Sequence, residues 1–117
     1  MTTDPVVIAS YARTPMGGMQ GALAAVPATQ LGAVAIKAAI ERAGVDVNDI
    51  DEVIMGCVLS GALGQAPARQ ASRGAGIPDQ AGAVTINKMC GSGMKAAMMA
   101  AESILAGTND IVVAGGM

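Results

Sequence analysis

One run near the end of the 117-residue sequence combines residue types that suit nucleophilic chemistry. Cys90 is its centre, within Asn87-Lys88-Met89-Cys90-Gly91-Ser92-Gly93-Met94-Lys95. The β-branched residues of 83–86 predict a short strand before it, and residues 94–106 contain no helix breaker and many helix formers. We therefore expect Cys90 at a tight strand-to-helix turn, where Gly91 and Gly93 give the backbone freedom.

A helix start changes the chemistry of a cysteine placed there. The first N–H groups of a helix lack intrahelical partners and carry partial positive charge, which favours a thiolate over a thiol. The same groups could bind an oxyanion after the sulfur attacks a carbonyl carbon. A small buried hydrophobic residue is the alternative for an arbitrary cysteine. The agreement of strand, glycines and helix favours Cys90 as the nucleophile, with the backbone N–H groups of Cys90 and Gly91 as oxyanion support.

Composition excludes several classes of function. The chain is 52% hydrophobic and 14% charged, which predicts a folded domain rather than a disordered segment. Its net charge of −2 and its single aromatic residue, Tyr11, argue against nucleic-acid binding. No apolar run is long enough to span a bilayer. The N-terminus has no features of a signal or transit peptide, so we expect a cytoplasmic protein with reduced cysteines. Histidine, the commonest general base, is absent from the sequence.

The other polar residues favour structural roles. Cys57 lies inside a predicted strand and lacks the glycine-flanked helix start of Cys90, although a disulfide between the two remains an alternative. Solvated carboxylates are expected rather than a metal site in the acidic segment. Arg13 and Thr14 favour a loop salt bridge and a turn hydroxyl, whereas Arg69 and Arg73 share a helix face and favour a solvated or interface face over phosphate binding. The carboxylates concerned are Asp46, Asp49, Asp51 and Glu52. We predict no metal and no bound cofactor.

Hydrophobic patterns predict four strands alternating with three helices. The strands are placed at 6–10, 53–59, 83–86 and 110–117, and the helices at 29–43, 68–74 and 92–106. This order predicts an α/β layered fold with a mostly parallel sheet, whose active site lies at the carboxyl ends of the strands. The first strand and the third helix are apolar nearly all round, so we expect both to be buried on every side.

Several segments together resemble the amino-terminal part of the thiolase family. The matching segments are Arg13-Thr14-Pro15, Gly64 to Ala71, Thr85 to Ala96 and Val112 to Met117, and the segment around Cys90 is the most specific. The resemblance implies a layered α-β-α-β-α fold, of which residues 1–117 form most of the first βαβαβαβ half. The loop domain and the carboxy-terminal half are then absent from this sequence. It also implies that the third helix lies between two sheets.

The resemblance further implies acyl transfer between coenzyme A thioesters through an acyl-Cys90 intermediate. The expected reaction is Claisen condensation of two acetyl-CoA to acetoacetyl-CoA, or thiolysis of a 3-ketoacyl-CoA, in fatty acid metabolism. It implies a homodimer or homotetramer, with the strand at 83–88 at the dimer interface. The family's histidine and second catalytic cysteine lie in motifs that this sequence lacks, so the chain alone is expected to be inactive. A ketoacyl-synthase-like condensing enzyme and a non-catalytic fragment are the alternatives, and the coenzyme A ligands stay unassigned.

Overall fold

A three-stranded parallel sheet lies at the centre of the protein. A computed structural model describes residues 4–117. The strands are β1 (Glu52–Gly56), β2 (Gly82–Ile86) and β3 (Val112–Gly116). Their order across the sheet is β2-β1-β3, with both pairings parallel. This arrangement confirms the predicted α/β class with a parallel sheet.

Three helices cover the two faces of the sheet. They are α1 (Ala28–Ala43), α2 (Pro67–Gly74) and α3 (Ser92–Leu105), and a 3₁₀ turn spans Val47–Asp49. Side chains of a strand alternate between its two faces. Val53 and Met55 therefore pack with α1 and α2 in one cluster, whereas Ile54 packs with α3 in another.

Helix ends follow the local sequence closely. Gly44 ends α1 with a φ of +68°, as its position after the apolar stripe predicts. Pro67 starts α2, where its missing N–H costs no hydrogen bond. The amino end of α1 differs from the prediction, because its N-cap is Pro27 and Thr29 lies inside the first turn.

The predicted first strand at 6–10 is wrong for the described chain. These residues belong to no strand, and the side chains of Val7 and Ile8 are 73% and 86% exposed. An apolar β-branched run becomes a strand only where a neighbouring strand supplies hydrogen-bond partners. Within residues 4–117 the sheet ends at β2 on one side and at β3 on the other.

Helix α3 is buried on one face rather than all round. Ala96 and Ala100 are buried against the sheet. Met94 and Met98, on the outer surface, are 74% and 49% exposed. The prediction of complete burial is therefore wrong for this chain, because no second layer covers the outer surface of α3 in the described residues.

Candidate functional site

The site is built where the carboxyl ends of the strands meet the first turn of α3. β2 ends at Ile86, and the connection to Ser92 is only five residues long. A Cβ atom added to Gly56, the last residue of β1, would lie 2.6 Å from Cβ of Ser92. Glycine at this position therefore lets the strand end and the helix start approach more closely than any side chain allows.

The third strand reaches the same helix start. A Cβ atom on Gly116 would lie 3.4 Å from Cα of Gly93, and the N–H of Met117 donates to the carbonyl oxygen of Gly56 at 2.9 Å. Three strand ends and one helix amino terminus thus converge, as expected for a site in a parallel sheet.

Cys90 lies exposed on the connection between β2 and α3. The residue before it, Met89, has a φ of +49°, which is unusual for a residue other than glycine. Asn87 supports this turn, since its Oδ1 accepts a hydrogen bond from the N–H of Met89 at 3.0 Å. The thiol of Cys90 is therefore presented on a structured turn rather than on a loose loop.

The backbone donors at this turn are not equally available. The N–H of Gly91 donates to the carbonyl oxygen of Lys88 at 3.1 Å, and that of Ser92 to the carbonyl oxygen of Met89 at 3.1 Å. In the part of the chain that the structure describes, the N–H of Cys90 has no acceptor. Of the two predicted oxyanion donors, the N–H of Cys90 is thus open and the N–H of Gly91 is engaged in the turn.

Ser92 is a residue of this site that the sequence analysis did not single out. It is 4% exposed. Its Oγ accepts a hydrogen bond from the N–H of Lys88 at 2.8 Å and donates to the carbonyl oxygen of Met89 at 2.5 Å. The signal available in the sequence was a hydroxyl residue at the first position of a predicted helix.

Cys57 has surroundings opposite to those of Cys90. It follows β1 directly, is 3% exposed, and its N–H donates to the carbonyl oxygen of Ile86 at 2.9 Å. Both cysteines are free thiols, so the disulfide alternative is not realised. Cys57 is buried, in keeping with the expected structural role, but it follows the strand in which the sequence analysis placed it, because β1 ends at Gly56.

The arginines and the acidic residues of the connecting segments make structural contacts. Arg73 forms a two-point ion pair with Asp79, with nitrogen–oxygen distances of 2.8 and 2.7 Å. These hydrogen bonds lower the pKa of Asp79 and raise that of Arg73. Arg69 donates to the carbonyl oxygen of Ala81 at 2.8 Å.

Two carboxylates of the acidic segment cap backbone groups. Asp46 accepts from the N–H of Asn48 at 2.9 Å, which lowers its pKa. Asp51 accepts from the N–H groups of Ile111 and Asp110 at 3.0 and 2.7 Å, and these bonds lower the pKa of Asp51. The described residues contain no group of three or more His, Cys, Asp or Glu side chains that could hold a metal.

The segment after residues 6–10 runs beside α1, where Arg42 donates to the carbonyl oxygen of Tyr11 at 3.0 Å. Within residues 4–117, Arg13 and Thr14 make local hydrogen bonds to the carbonyl oxygens of Thr14 and Pro15, and the expected salt bridge of Arg13 does not form there. Both residues line a cavity of about 340 Å³ together with Leu31 and Met117. Cys90 is not among the residues that line this cavity.

Comparison with known proteins gives the family. Residues 6–117 match the family described as thiolase, N-terminal domain. The chain is 60% identical over 112 residues to acetyl-CoA acetyltransferase 2 of Arabidopsis thaliana, and this match covers 96% of the chain and 28% of that relative. It is 54% identical over 116 residues to a mitochondrial acetyl-CoA acetyltransferase of Xenopus laevis, with coverage of 99% and 28%.

A solved structure gives the same result. A thiolase from Ascaris suum, crystallised in complex with coenzyme A, superposes with a TM-score of 0.92 at 45% sequence identity. The superposition covers 93% of this chain and 28% of that protein. The chain thus spans little more than a quarter of the length of the relatives it matches.

These relatives overturn the expectation of a cytoplasmic location. The acetyl-CoA acetyltransferases of Xenopus laevis, Rattus norvegicus and Mus musculus are named as mitochondrial, whereas the one of Gibberella zeae is named as cytosolic. Residues 1–5 of the given sequence were therefore a wrong basis for the expectation. Within residues 4–117, no helix is both long and apolar enough to cross a membrane.

The cysteine turn lies at the carboxyl edge of a parallel sheet, and residues 6–117 match the thiolase N-terminal domain. The chain therefore belongs to the thiolase family.

Proposed function

We propose that this chain supplies the nucleophile of an enzyme that transfers acyl groups between coenzyme A thioesters. The thiolate of Cys90 attacks the carbonyl carbon of an acyl-CoA, a new carbon–sulfur bond forms, and the coenzyme A thiolate leaves. The observation that carries the proposal is the exposed Cys90 on the structured turn before α3, in a chain of the thiolase family.

The second half of the reaction uses the acyl-Cys90 thioester. The carbanion formed by removing a proton from the methyl group of a second acetyl-CoA attacks the acyl carbon, and Cys90 leaves as a thiolate. The product is acetoacetyl-CoA. In the reverse direction, the thiolate of Cys90 attacks the keto carbon of a 3-ketoacyl-CoA and releases acetyl-CoA. Acetyl-CoA acetyltransferase is the name of the relatives in Arabidopsis thaliana and Xenopus laevis, which favours this chemistry over that of a ketoacyl-synthase-like enzyme.

The open N–H of Cys90 is the first donor for the oxyanion of the tetrahedral intermediate. A donor fixed before the reaction stabilises the developing charge without reorganisation. The N–H of Gly91 can contribute only if its 3.1 Å hydrogen bond to Lys88 opens.

The proton-transfer groups of this chemistry lie outside the chain. The sequence has no histidine, and Cys57 is buried, so neither a histidine base nor a second exposed cysteine is present. We infer that residues 1–117 are an amino-terminal half-domain, and that the loop domain and carboxy-terminal half belong to other residues of the polypeptide. By itself the chain is expected to show no turnover.

A dimer across β2 is part of the proposal. Within residues 4–117, β2 pairs with β1 along one edge and lies at the margin of the sheet. The backbone N–H and C=O groups of its other edge suit pairing with the same strand of a second copy. The segment 83–88 is therefore the proposed interface of a homodimer, or of one interface in a homotetramer.

The test is acetylation of the natural polypeptide that carries these residues. The protein is exposed briefly to acetyl-CoA, quenched in acid, and measured by intact mass and peptide mapping. One acetyl group on Cys90 is expected, and Cys90→Ser should abolish it. Cys57→Ser is the matched control and should keep the acetyl group. Labelling of Cys57 in place of Cys90, or no labelling at all, would contradict the proposal.

A further inference from the structure

The turn before Cys90 contains the peptide group between Met89 and Cys90. The orientation of this group decides the direction in which the N–H of Cys90 points. The φ of Met89 is +49°, a left-handed conformation that is unfavourable for a residue other than glycine. Its side chain is 68% exposed, so packing of the side chain does not explain the conformation. The backbone hydrogen bonds on either side of Met89 hold the residue in this conformation.

Ser92 supplies the buried part of those bonds. The carbonyl oxygen of Met89 accepts from both the Oγ and the N–H of Ser92, at 2.5 and 3.1 Å. The same Oγ accepts from the N–H of Lys88 at 2.8 Å. One buried hydroxyl therefore fixes both the N–H of Lys88, the residue before Met89, and the carbonyl oxygen of Met89 itself.

The position of Ser92 is itself fixed by the sheet. A Cβ atom on Gly56 would lie 2.6 Å from Cβ of Ser92 and 2.7 Å from its carbonyl carbon. The first residue of α3 thus lies directly on the end of the central strand β1. The hydroxyl of Ser92 transmits the position of that strand end to the turn.

A planar trans peptide connects this contact to the nucleophile. The carbonyl of Met89 and the N–H of Cys90 belong to the same peptide group and point in opposite directions. Because Ser92 holds the carbonyl toward the start of α3, the N–H of Cys90 is turned away from the helix start and has no acceptor in the described part of the chain. That N–H is the open donor of the proposed oxyanion site.

We propose that Ser92 is a positioning residue for acyl transfer at Cys90. It fixes the plane of the peptide between Met89 and Cys90. That plane sets the direction of the Cys90 N–H and the position of the Cα atom from which the Cys90 side chain starts. The inference rests on the proposed function, since it assigns a task to Ser92 within that acyl transfer.

The test compares Ser92→Ala with Ser103→Ala in the natural polypeptide that carries these residues. Ser103 is also a serine of α3 whose Oγ donates to a backbone carbonyl, that of Ala100 at 2.8 Å, but it lies at the far end of the helix. The rate of acetylation of Cys90 by acetyl-CoA is measured over a range of acetyl-CoA concentrations. Ser92→Ala is expected to lower the limiting rate at least about tenfold, because small displacements of reacting groups have large kinetic effects. Ser103→Ala is expected to leave the rate unchanged.

A rescue experiment separates positioning from a general loss of structure. Asparagine adopts left-handed backbone conformations more readily than methionine, and the side chain at position 89 is exposed. Met89→Asn combined with Ser92→Ala should therefore recover part of the lost rate. Asn87→Ala, which removes the exposed partner of Met89 and leaves the core intact, should also slow acetylation. Urea unfolding of each variant shows whether the fold is retained.

The outcomes distinguish the two proposals. If Cys90 of the unchanged protein takes no acetyl group, the proposed function is wrong. If it is acetylated, and Ser92→Ala reacts at the unchanged rate or is not improved by Met89→Asn, the role of Ser92 is overturned.

Discussion

Cys57 and Cys90 carry the same thiol in opposite surroundings. Cys57 is 3% exposed at the end of the central strand, whereas Cys90 is exposed at the start of α3. Their neighbours along the chain already differ, because only Cys90 is followed by glycines at the start of a helix, Gly91 and Gly93. At the scale of single residues, the local sequence was enough to separate the structural cysteine from the candidate nucleophile.

Ser72 is a single residue whose buried hydroxyl should affect stability. Its Oγ is fully buried in α2 and has no hydrogen-bond partner within residues 4–117. An unsatisfied buried hydroxyl costs about 1–3 kcal/mol. Ser72→Ala is therefore expected to raise the free energy of unfolding by about 1 kcal/mol, as measured by urea denaturation. Ser103→Ala is the control and should lower it, since the Oγ of Ser103 is hydrogen-bonded to Ala100 and Asn109. A Ser72→Ala protein less stable than the unchanged one would show that the hydroxyl is satisfied in solution.

The elements meet through small residues at the site. Gly56 of β1 and Gly116 of β3 both lie against the first turn of α3. This close packing brings the amino terminus of the helix to the carboxyl edge of the sheet. The turn that bears Cys90 therefore depends on two strands that are distant from it in the sequence.

Replacement of Gly56 tests this contact between elements. Gly56→Ala places a methyl group 2.6 Å from Cβ of Ser92, so either β1 or α3 must move. Overpacking of this kind costs about 1–3 kcal/mol, and we expect a lower urea midpoint together with slower acetylation of Cys90. Gly61→Ala is the matched control, because a Cβ atom there meets nothing within 4 Å. Equal stability of the two variants would contradict the close approach of β1 and α3.

Across the whole molecule, contacts between distant parts of the chain hold the sheet together. Asp51, just before β1, accepts hydrogen bonds from the N–H groups of Asp110 and Ile111, about sixty residues later. In return the N–H of Asp51 donates to the carbonyl oxygen of Ile111 at 2.9 Å. These bonds join the entry to the central strand with the entry to the last one.

The charge of Asp51 should make stability depend on pH. Hydrogen bonds from the backbone of Ile111 and then Asp110 lower its pKa in the folded protein, so the unfolded chain takes up the proton first as the pH falls. The stabilisation by Asp51 is thus fully present above about pH 4, the unfolded value, and is lost as the pH falls through the folded pKa. Because the carboxylate is exposed and screened, Asp51→Asn is expected to cost at most about 1 kcal/mol at pH 7.

The measurement is the free energy of unfolding of both proteins between pH 7 and pH 2. The difference between them should shrink below pH 4. Asp49→Asn serves as the control, since the carboxylate of Asp49 accepts no hydrogen bond within the described residues. A difference that stays constant down to pH 2 would exclude the carboxylate of Asp51 as its source.

The sequence by itself determined the α/β class, the strand-to-helix turn at Cys90 and the membership in the thiolase family. These features depend on local patterns: β-branched runs, glycines at helix ends and the residues that flank the cysteine. Only the tertiary structure decided that residues 6–10 stay outside the sheet, that α3 is exposed on one face, and that the buried hydroxyl of Ser92 holds the turn. Pairing, burial and hydrogen bonding depend on which neighbours are present, and local propensity does not specify neighbours that are distant in the chain.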